Sequence, residues 1–210
     1  MYKTVVFDLD GTLLNTLTDL ADAGNRLCRK YGWPTHERQA YRYFVGNGIP
    51  KLVERLAPAD QRTPADFKRD YGQHLRDTTA PYPGIPEMLA KLKANGVQLA
   101  VFSNKADALA KEVVKDYFGT QYFTIVRGQM TGVAPKPAAE GTNALLQALH
   151  ADPASTLYVG DSNVDVETAH NANLPCCGAV WGFRTREELN AAGAEYLAEN
   201  SDELYDVIMK

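Results

Sequence analysis

Short, uninterrupted apolar runs alternate with helical patterns along most of this chain, and this alternation limits the fold more than any other feature. The runs span residues 4–7, 98–102, 122–126, 156–159 and 177–181, and we expect a strand at each. Because these runs lack the alternation of a half-exposed strand, they indicate strands covered on both faces. The sequence therefore predicts an α/β fold with a doubly wound, Rossmann-like parallel sheet.

Residues 15–80 differ from the rest because they contain helical spacing but no convincing strand. Thr63-Pro64 is typical of a helix start, since proline is tolerated at the first helical position. An interval of this length is far longer than an ordinary connection after a strand. We therefore predict an α/β core formed by residues 1–14 and 81–210, with an α-helical cap subdomain inserted at 15–80.

Composition excludes several classes of protein. The 210 residues carry a net charge of −4, without the basic excess of a nucleic-acid-binding surface. No apolar run approaches the roughly 20 residues that span a bilayer, and Asp8 falls where a signal peptide would still be apolar. Three cysteines are too few for a disulfide framework and lack zinc-site spacing. We expect a cytoplasmic protein, monomer or homodimer, with no nucleic-acid or membrane partner.

Polar residues at the ends of the predicted strands indicate where chemistry occurs. Asp8 and Asp10 follow the first run, Ser103 and Asn104 the second, and Asp161 the fourth. Because the carboxyl ends of parallel strands meet at one edge of the sheet, we expect these side chains to share a crevice. Two neighbouring carboxylates repel each other unless a cation lies nearby or one is protonated, and Mg²⁺ prefers oxygen ligands. The acids therefore favour a metal site.

Two further residues extend this pattern. Asp165 lies four residues after Asp161, so both can lean toward the same crevice, and Lys136 precedes a predicted helix, where it can supply a fixed positive charge. Each also has an ordinary structural interpretation: Ser103 and Asp165 can cap helices, and Lys136 can be solvated. The recurrence of such groups at successive strand ends favours one functional site.

These groups, taken in order, resemble the four motifs of the haloacid dehalogenase-like hydrolase superfamily. They are Asp8-Leu9-Asp10-Gly11-Thr12, Ser103, Lys136 and Gly160-Asp161-x-x-x-Asp165. The inserted helices resemble the α-helical cap of that superfamily. Within it, Val45-Gly46-Asn47-Gly48 and Ser103-Asn104-Lys105 are similar to the phosphoglycolate phosphatase group. Asn15 stands where many relatives have an acid and Ala139 where a proline is frequent, which bears on fine specificity more than on catalysis.

The resemblance implies a Mg²⁺-dependent phosphomonoester hydrolase that acts on a small phosphorylated metabolite such as 2-phosphoglycolate. Asp8 would be the nucleophile that forms an aspartyl phosphate, and Asp10 the general acid and then the general base. Mg²⁺ would be held by Asp8, by the backbone carbonyl of Asp10 and by Asp161. The phosphoryl oxygens would be bound by Thr12, Ser103, Asn104 and Lys136.

The resemblance also implies supporting roles. Asp165 would orient Lys136 or the metal shell, and Asn163 would hold a metal-bound water. In the cap, a loop would contact the leaving group of the substrate, with Lys51 as a candidate partner for a carboxylate. The residues of that loop are Gly46, Asn47 and Gly48.

Two other functions stay open at this point. A sugar phosphomutase of the same superfamily uses the same aspartyl phosphate but returns the phosphoryl group to a bound sugar, and no single motif excludes it. A non-catalytic phosphoacceptor or regulatory protein also combines acids, a hydroxyl group and a lysine on a parallel sheet. Receiver domains are proteins of this kind, but they carry the phosphoacceptor on a later strand and lack a long helical insert.

Overall fold

A six-stranded parallel sheet forms the centre of the computed structural model, which describes residues 1–58, 60 and 64–210. Its strand order is β5-β4-β1-β6-β7-β8, while β2 and β3 form a separate antiparallel ribbon. This arrangement confirms the predicted α/β fold with a parallel sheet. The strands are β1 (Thr4–Phe7), β2 (Leu14–Asn15), β3 (Ala80–Pro81), β4 (Gln98–Ala106), β5 (Phe123–Gln129), β6 (Thr156–Gly160), β7 (Cys176–Ala179) and β8 (Tyr196–Ala198).

Helices flank the sheet, and four of those in the described residues lie between β2 and β3. These four are α1 (Leu17–Tyr31), α2 (Arg38–Phe44), α3 (Gly48–Leu56) and α4 (Pro64–Gln73). The helices that follow are α5 (Ile85–Ala94), α6 (Asp107–Phe118), α7 (Ala139–Leu149), α8 (Asn163–Asn171), α9 (Arg186–Ala191) and α10 (Ser201–Met209). Helix α4 begins at Pro64 as predicted, whereas Thr63, the other residue of the predicted helix start, lies outside the described residues. None of the described helices combines the length and the apolar character that crossing a bilayer requires.

The short strands β2 and β3 correct the expectation that residues 15–80 contain no strand. Leu14 pairs with Pro81 and Asn15 with Ala80, so the two ends of the helical segment are held side by side. A two-residue strand is too short to leave a periodic pattern in the sequence. The three-residue strand β8 escaped prediction for the same reason.

Strand β1 runs through the middle of the sheet and positions the acids that follow it. It lies between β4 and β6, and its apolar residues are fully buried. Val5 and Phe7 pack into one hydrophobic cluster and Val6 into the other, because successive side chains of a strand face opposite sides. From β1 the chain connects to β4 on one side and later to β6 on the other. Asp8 therefore follows β1 at the point where strand order reverses, which is where open α/β sheets bind ligands.

Candidate functional site

Three buried carboxylates meet at the carboxyl edge of the sheet. Asp8 follows β1, Asp161 follows β6, and Asp165 lies in the first turn of α8. One oxygen of each lies within 4.8 Å of the others, and the three residues are between 1% and 7% exposed. The parallel strand direction brings these groups together from positions more than 150 residues apart.

Lys136 lies among these acids and is itself buried. Its Nζ donates to Asp8 Oδ1 at 2.7 Å and to Asp165 Oδ1 at 2.7 Å. The Tyr158 hydroxyl lies 3.3 Å from the same nitrogen. With 3% exposure, Lys136 is not a solvated lysine, so that interpretation of the sequence is wrong.

The Asp165 side chain both caps helix α8 and binds Lys136. Oδ2 accepts hydrogen bonds from the Ser162 backbone N–H (3.1 Å) and the Ser162 hydroxyl (2.7 Å), which caps α8, while Oδ1 pairs with Lys136. The nearby Asn163 is exposed, and its amide donates to Glu167 at 3.1 Å. In this arrangement the Asn163 side chain is engaged on its own helix.

Burial governs the protonation of the cluster. It raises the pKa of Asp8 to about 7, because the attraction of Lys136 only partly offsets it and Asp165 adds repulsion. Burial, Asp165 and Asp8 also raise the pKa of Asp161 well above its usual value. Burial lowers the pKa of Lys136, but the two adjacent carboxylates outweigh it and raise that pKa. When all three carboxyl groups are ionised, they leave an excess of two negative charges over the Lys136 ammonium group, and a divalent cation with oxygen ligands would balance that excess.

Two glycines leave room for the Asp161 side chain. At Gly11, where φ is +95°, an added Cβ would lie 2.3 Å from Asp161 Oδ2, and at Gly182 it would lie 2.2 Å from the Asp161 Cβ. Asp161 accepts hydrogen bonds from the Thr12 hydroxyl at 3.2 Å and from the Phe183 backbone N–H at 2.7 Å. The carboxylate is therefore held in one orientation beside Asp8.

Asp10 has a partner that the sequence did not suggest. Lys105 Nζ lies 3.0 Å from Asp10 Oδ1 and 3.3 Å from Oδ2, and 2.7 Å from the hydroxyl of Tyr71 in α4. Burial lowers the pKa of Lys105, but Asp10 and Tyr71 outweigh it and raise that pKa, whereas burial raises the pKa of Tyr71 to about 12. In the sequence, Lys105 was marked only as the last residue of the motif Ser103-Asn104-Lys105, with no role of its own.

Ser103 and Asn104 follow each other in β4 but have different surroundings. Ser103 Oγ accepts from the Lys105 backbone N–H at 3.1 Å. The amide of Asn104 donates to the Gly46 carbonyl at 2.9 Å and to the Lys136 carbonyl at 3.2 Å, and its oxygen accepts from the Lys136 backbone N–H at 2.8 Å. Asn104 thus joins the loop before α3 to the segment that carries Lys136.

The cap residues predicted to contact a leaving group do not lie together. Gly46 and Gly48 line a cavity beside the acids. Asn47 instead accepts a hydrogen bond from an arginine of α3. Lys51 is exposed, its Nζ pairs with Glu54 at 2.9 Å, and it is absent from the described lining of that cavity.

The cavity lies between the carboxyl edge of the sheet and the helices of residues 17–73. It holds about 470 Å³ of space outside the atoms, a figure that includes solvent at its mouth. Its lining comprises Asp8, Asp10, Leu20, Val45, Gly46, Gly48, Ile49, Leu52, Tyr71, Ser103, Asn104 and Lys105.

Known proteins match both the sequence and the fold. The model of the haloacid dehalogenase-like hydrolase family matches residues 5–179. The chain belongs to this family. A phosphoglycolate phosphatase from Chromobacterium violaceum is 31% identical over 98% of this chain and 96% of its own length. Another, from Neisseria meningitidis, is 32% identical over 86% of this chain and 81% of its own length.

The structural comparison agrees with the family assignment. The crystal structure of a protein from Lactobacillus delbrueckii subsp. bulgaricus superimposes on this hydrolase with a TM-score of 0.89. The two are 27% identical, and the match covers 99% of this chain and 98% of the other. Family membership and the named relatives identify this haloacid dehalogenase-like hydrolase as a phosphatase.

Proposed function

We propose that this phosphatase hydrolyses 2-phosphoglycolate or a closely similar small phosphate monoester, with Mg²⁺ and through an aspartyl phosphate on Asp8. One observation carries the proposal: the Asp8 carboxylate lies buried at the edge of a cavity, 2.7 Å from the buried ammonium group of Lys136. The names of the relatives that share nearly the full length of the chain support the substrate.

The proposed reaction has two steps. A carboxylate oxygen of Asp8 attacks phosphorus, the bond to the ester oxygen breaks, and the carboxylic-acid form of Asp10 gives its proton to that oxygen. Asp10, now a carboxylate, then takes a proton from water, whose oxygen attacks the aspartyl phosphate and releases inorganic phosphate and Asp8. Lys105 pairs with both Asp10 oxygens and would hold this side chain in position during both steps.

Lys136 would stabilise charge on the transferring group. Its ammonium lies against Asp8, so it also neutralises the oxygens of a phosphoryl group bound there. Asp165 would be a positioning residue, because it fixes the ammonium from the other side. The hydroxyl groups of Thr12 and Ser103 would complete the contacts to the oxygens. Asn104 would contribute mainly by holding the backbone of Lys136.

The donor set fits Mg²⁺. Within the described residues Asp8 accepts one hydrogen bond and Asp161 two, whereas Asp165 accepts three, so Asp8 and Asp161 keep more oxygen lone pairs for a cation. We therefore propose Asp8 and Asp161, with the backbone carbonyl of Asp10, as the residues that would hold the ion. When bound, Mg²⁺ would reduce the repulsion between Asp8 and the phosphate dianion.

Helices α1 to α4 would serve as a cap on a core formed by residues 1–14 and 81–210. Their residues supply one wall of the cavity, and the β2–β3 ribbon joins the two ends of the segment. An aspartyl phosphate must react with one positioned water rather than with bulk solvent, and a cover over the site provides that exclusion.

The proposal is tested by measuring phosphate release from 2-phosphoglycolate, sugar phosphates, nucleotides and pyrophosphate, with and without Mg²⁺. We expect Mg²⁺-dependent release with 2-phosphoglycolate as a preferred substrate. Asp8→Asn, which removes the nucleophile but keeps its shape, should lower kcat by roughly a thousandfold or more.

Asp206→Asn, a change of the same kind at an exposed position of α10, is the matched control and should retain activity. Full activity of Asp8→Asn would refute the mechanism. An isomerised sugar phosphate without free phosphate would favour the phosphomutase instead.

A further inference from the structure

The cavity has an uneven distribution of charge. Its wall on the helical side is apolar and includes Leu20, Val45, Ile49 and Leu52. Of the described residues that line it, only Lys105 is cationic. A leaving group that fits this cavity is therefore small and apolar in its body, and any anionic part of it must lie against Lys105.

Lys105 and Tyr71 retain hydrogen-bonding capacity toward the cavity. An ammonium group carries three N–H donors. The described residues give Lys105 two partners, the Asp10 carboxylate and the Tyr71 hydroxyl. That hydroxyl accepts from Lys105, and within the described part of the chain its own proton has no acceptor. Both residues line the cavity, so each can donate one further hydrogen bond to a ligand.

The short covalent connection between the ester oxygen and the carboxylate of the substrate limits where that carboxylate can lie. In the proposed reaction the ester oxygen lies beside Asp10. The carboxyl carbon of a phosphorylated 2-hydroxy acid is only two bonds from that oxygen, so its carboxylate must lie close to the Asp10 side chain. Lys105 Nζ lies 3.0 Å from Asp10 Oδ1, so its ammonium group is within reach of a substrate carboxylate placed beside Asp10.

We propose that Lys105 and Tyr71 form a subsite for the carboxylate of a phosphorylated 2-hydroxy acid. This inference rests on the proposed function and replaces the exposed Lys51 as the residue that recognises the carboxylate. Lys105 binds both the Asp10 side chain and the substrate carboxylate, and the Tyr71 hydroxyl donates to that carboxylate from α4. The subsite thus contains one residue from the sheet and one from the helical segment.

The test compares substrates that differ only in the carboxylate. 2-Phosphoglycolate is measured against 2-hydroxyethyl phosphate, in which a neutral hydroxymethyl group replaces the carboxylate. A third substrate, 3-phosphooxypropanoate, moves the carboxylate one methylene further away. We expect wild type to prefer 2-phosphoglycolate in kcat/KM over both.

Variants then assign the preference to residues. Tyr71→Phe and Lys105→Met should each lower the ratio of kcat/KM for 2-phosphoglycolate to that for 2-hydroxyethyl phosphate by roughly tenfold or more. A ratio is used because Lys105 also contacts Asp10, whose disturbance slows both substrates alike. Lys51→Met is the matched control and should leave the ratio unchanged.

Binding provides a second readout that needs no turnover. In an Asp8→Asn background, calorimetric titration with both phosphate esters should show the same loss of preference on Tyr71→Phe. An unchanged ratio in Tyr71→Phe and Lys105→Met, or a fall in Lys51→Met, would overturn the subsite.

The two proposals fail in different ways. A wild-type enzyme that releases phosphate from both esters equally well would overturn the subsite but leave the phosphatase mechanism in place. A wild-type enzyme that releases no phosphate, yet binds 2-phosphoglycolate with a preference that depends on Tyr71, would overturn the hydrolytic proposal and support the subsite.

Discussion

Replacing Lys136 with methionine should destabilise this protein far more than the loss of an ordinary ion pair. Methionine keeps the length of the buried side chain but removes the ammonium group that lies 2.7 Å from both Asp8 and Asp165. All three residues are less than a tenth exposed, so any negative charge that remains on Asp8 or Asp165 would be buried without its cation. Breaking a buried ion pair in this way costs about 3–5 kcal/mol.

The pair between Lys111 and Asp107 provides a matched control. Its Nζ–Oδ2 distance is also 2.7 Å, but the lysine side chain is 56% exposed. Water screens such a pair, and removing it costs only about 0.3–0.5 kcal/mol. Comparing Lys136→Met with Lys111→Met therefore tests whether burial, rather than distance, sets the cost.

The assay is urea unfolding at neutral pH with EDTA present, so that no metal compensates for the lost charge. With an m-value of about 2 kcal/mol/M, a loss of about 4 kcal/mol moves the midpoint by about 2 M. Adding Asp165→Asn to Lys136→Met should recover part of the stability, because the uncompensated charge at position 165 is then removed. With Mg²⁺ present, kcat of Lys136→Met should fall by roughly a hundredfold or more.

Two results would refute this reasoning. The first is a Lys136→Met variant whose free energy of unfolding lies within about 1 kcal/mol of that of Lys111→Met. The second is a further loss of stability when Asp165→Asn is added. Either result would mean that the buried carboxylates are neutral in the folded protein without the lysine.

Two further predictions concern the segment before β3 and the room around Asp161. Burial raises the pKa of Asp19, but hydrogen bonds from Thr78 and Thr79 outweigh burial and lower that pKa. The ionised Asp19 therefore stabilises the folded protein fully above pH about 4, and this contribution is lost as the pH falls below that value. Asp19→Asn should therefore cost about 1.5–3 kcal/mol at pH 7 in urea unfolding, and a cost that stays constant down to pH about 2 would contradict the charge-based explanation. Gly182→Ala should raise the Mg²⁺ concentration that gives half-maximal kcat/KM by roughly tenfold, because the added Cβ would displace Asp161. Gly72→Ala is the control: its Cβ would meet nothing within 4 Å, so this concentration should stay unchanged. The same half-maximal Mg²⁺ concentration in the two glycine variants would show that Asp161 tolerates the displacement.

Much of the fold was predictable because its signals are local. The buried strands are continuous apolar runs, and the capping box of Thr185 and Glu188 at α9 can be identified from two residues. Strand ends are also local signals, so the acids after β1 and β6 could be assigned to one edge without knowing any distance. The ribbon of β2 and β3 could not be predicted, because its two residues per strand pair across the entire helical segment.

The sequence alone therefore established the sheet, the inserted helices and the set of acids at one edge of the sheet, because periodicity and strand direction determine all three. Tertiary packing decided which lysines are buried among those acids. Lys51 and Lys105 are chemically identical, yet one pairs on the surface with Glu54 and the other lies between Asp10 and Tyr71. Whether a lysine is solvated or buried depends on segments distant in the chain, here α4 folding back onto the end of β4, and no local pattern records that contact.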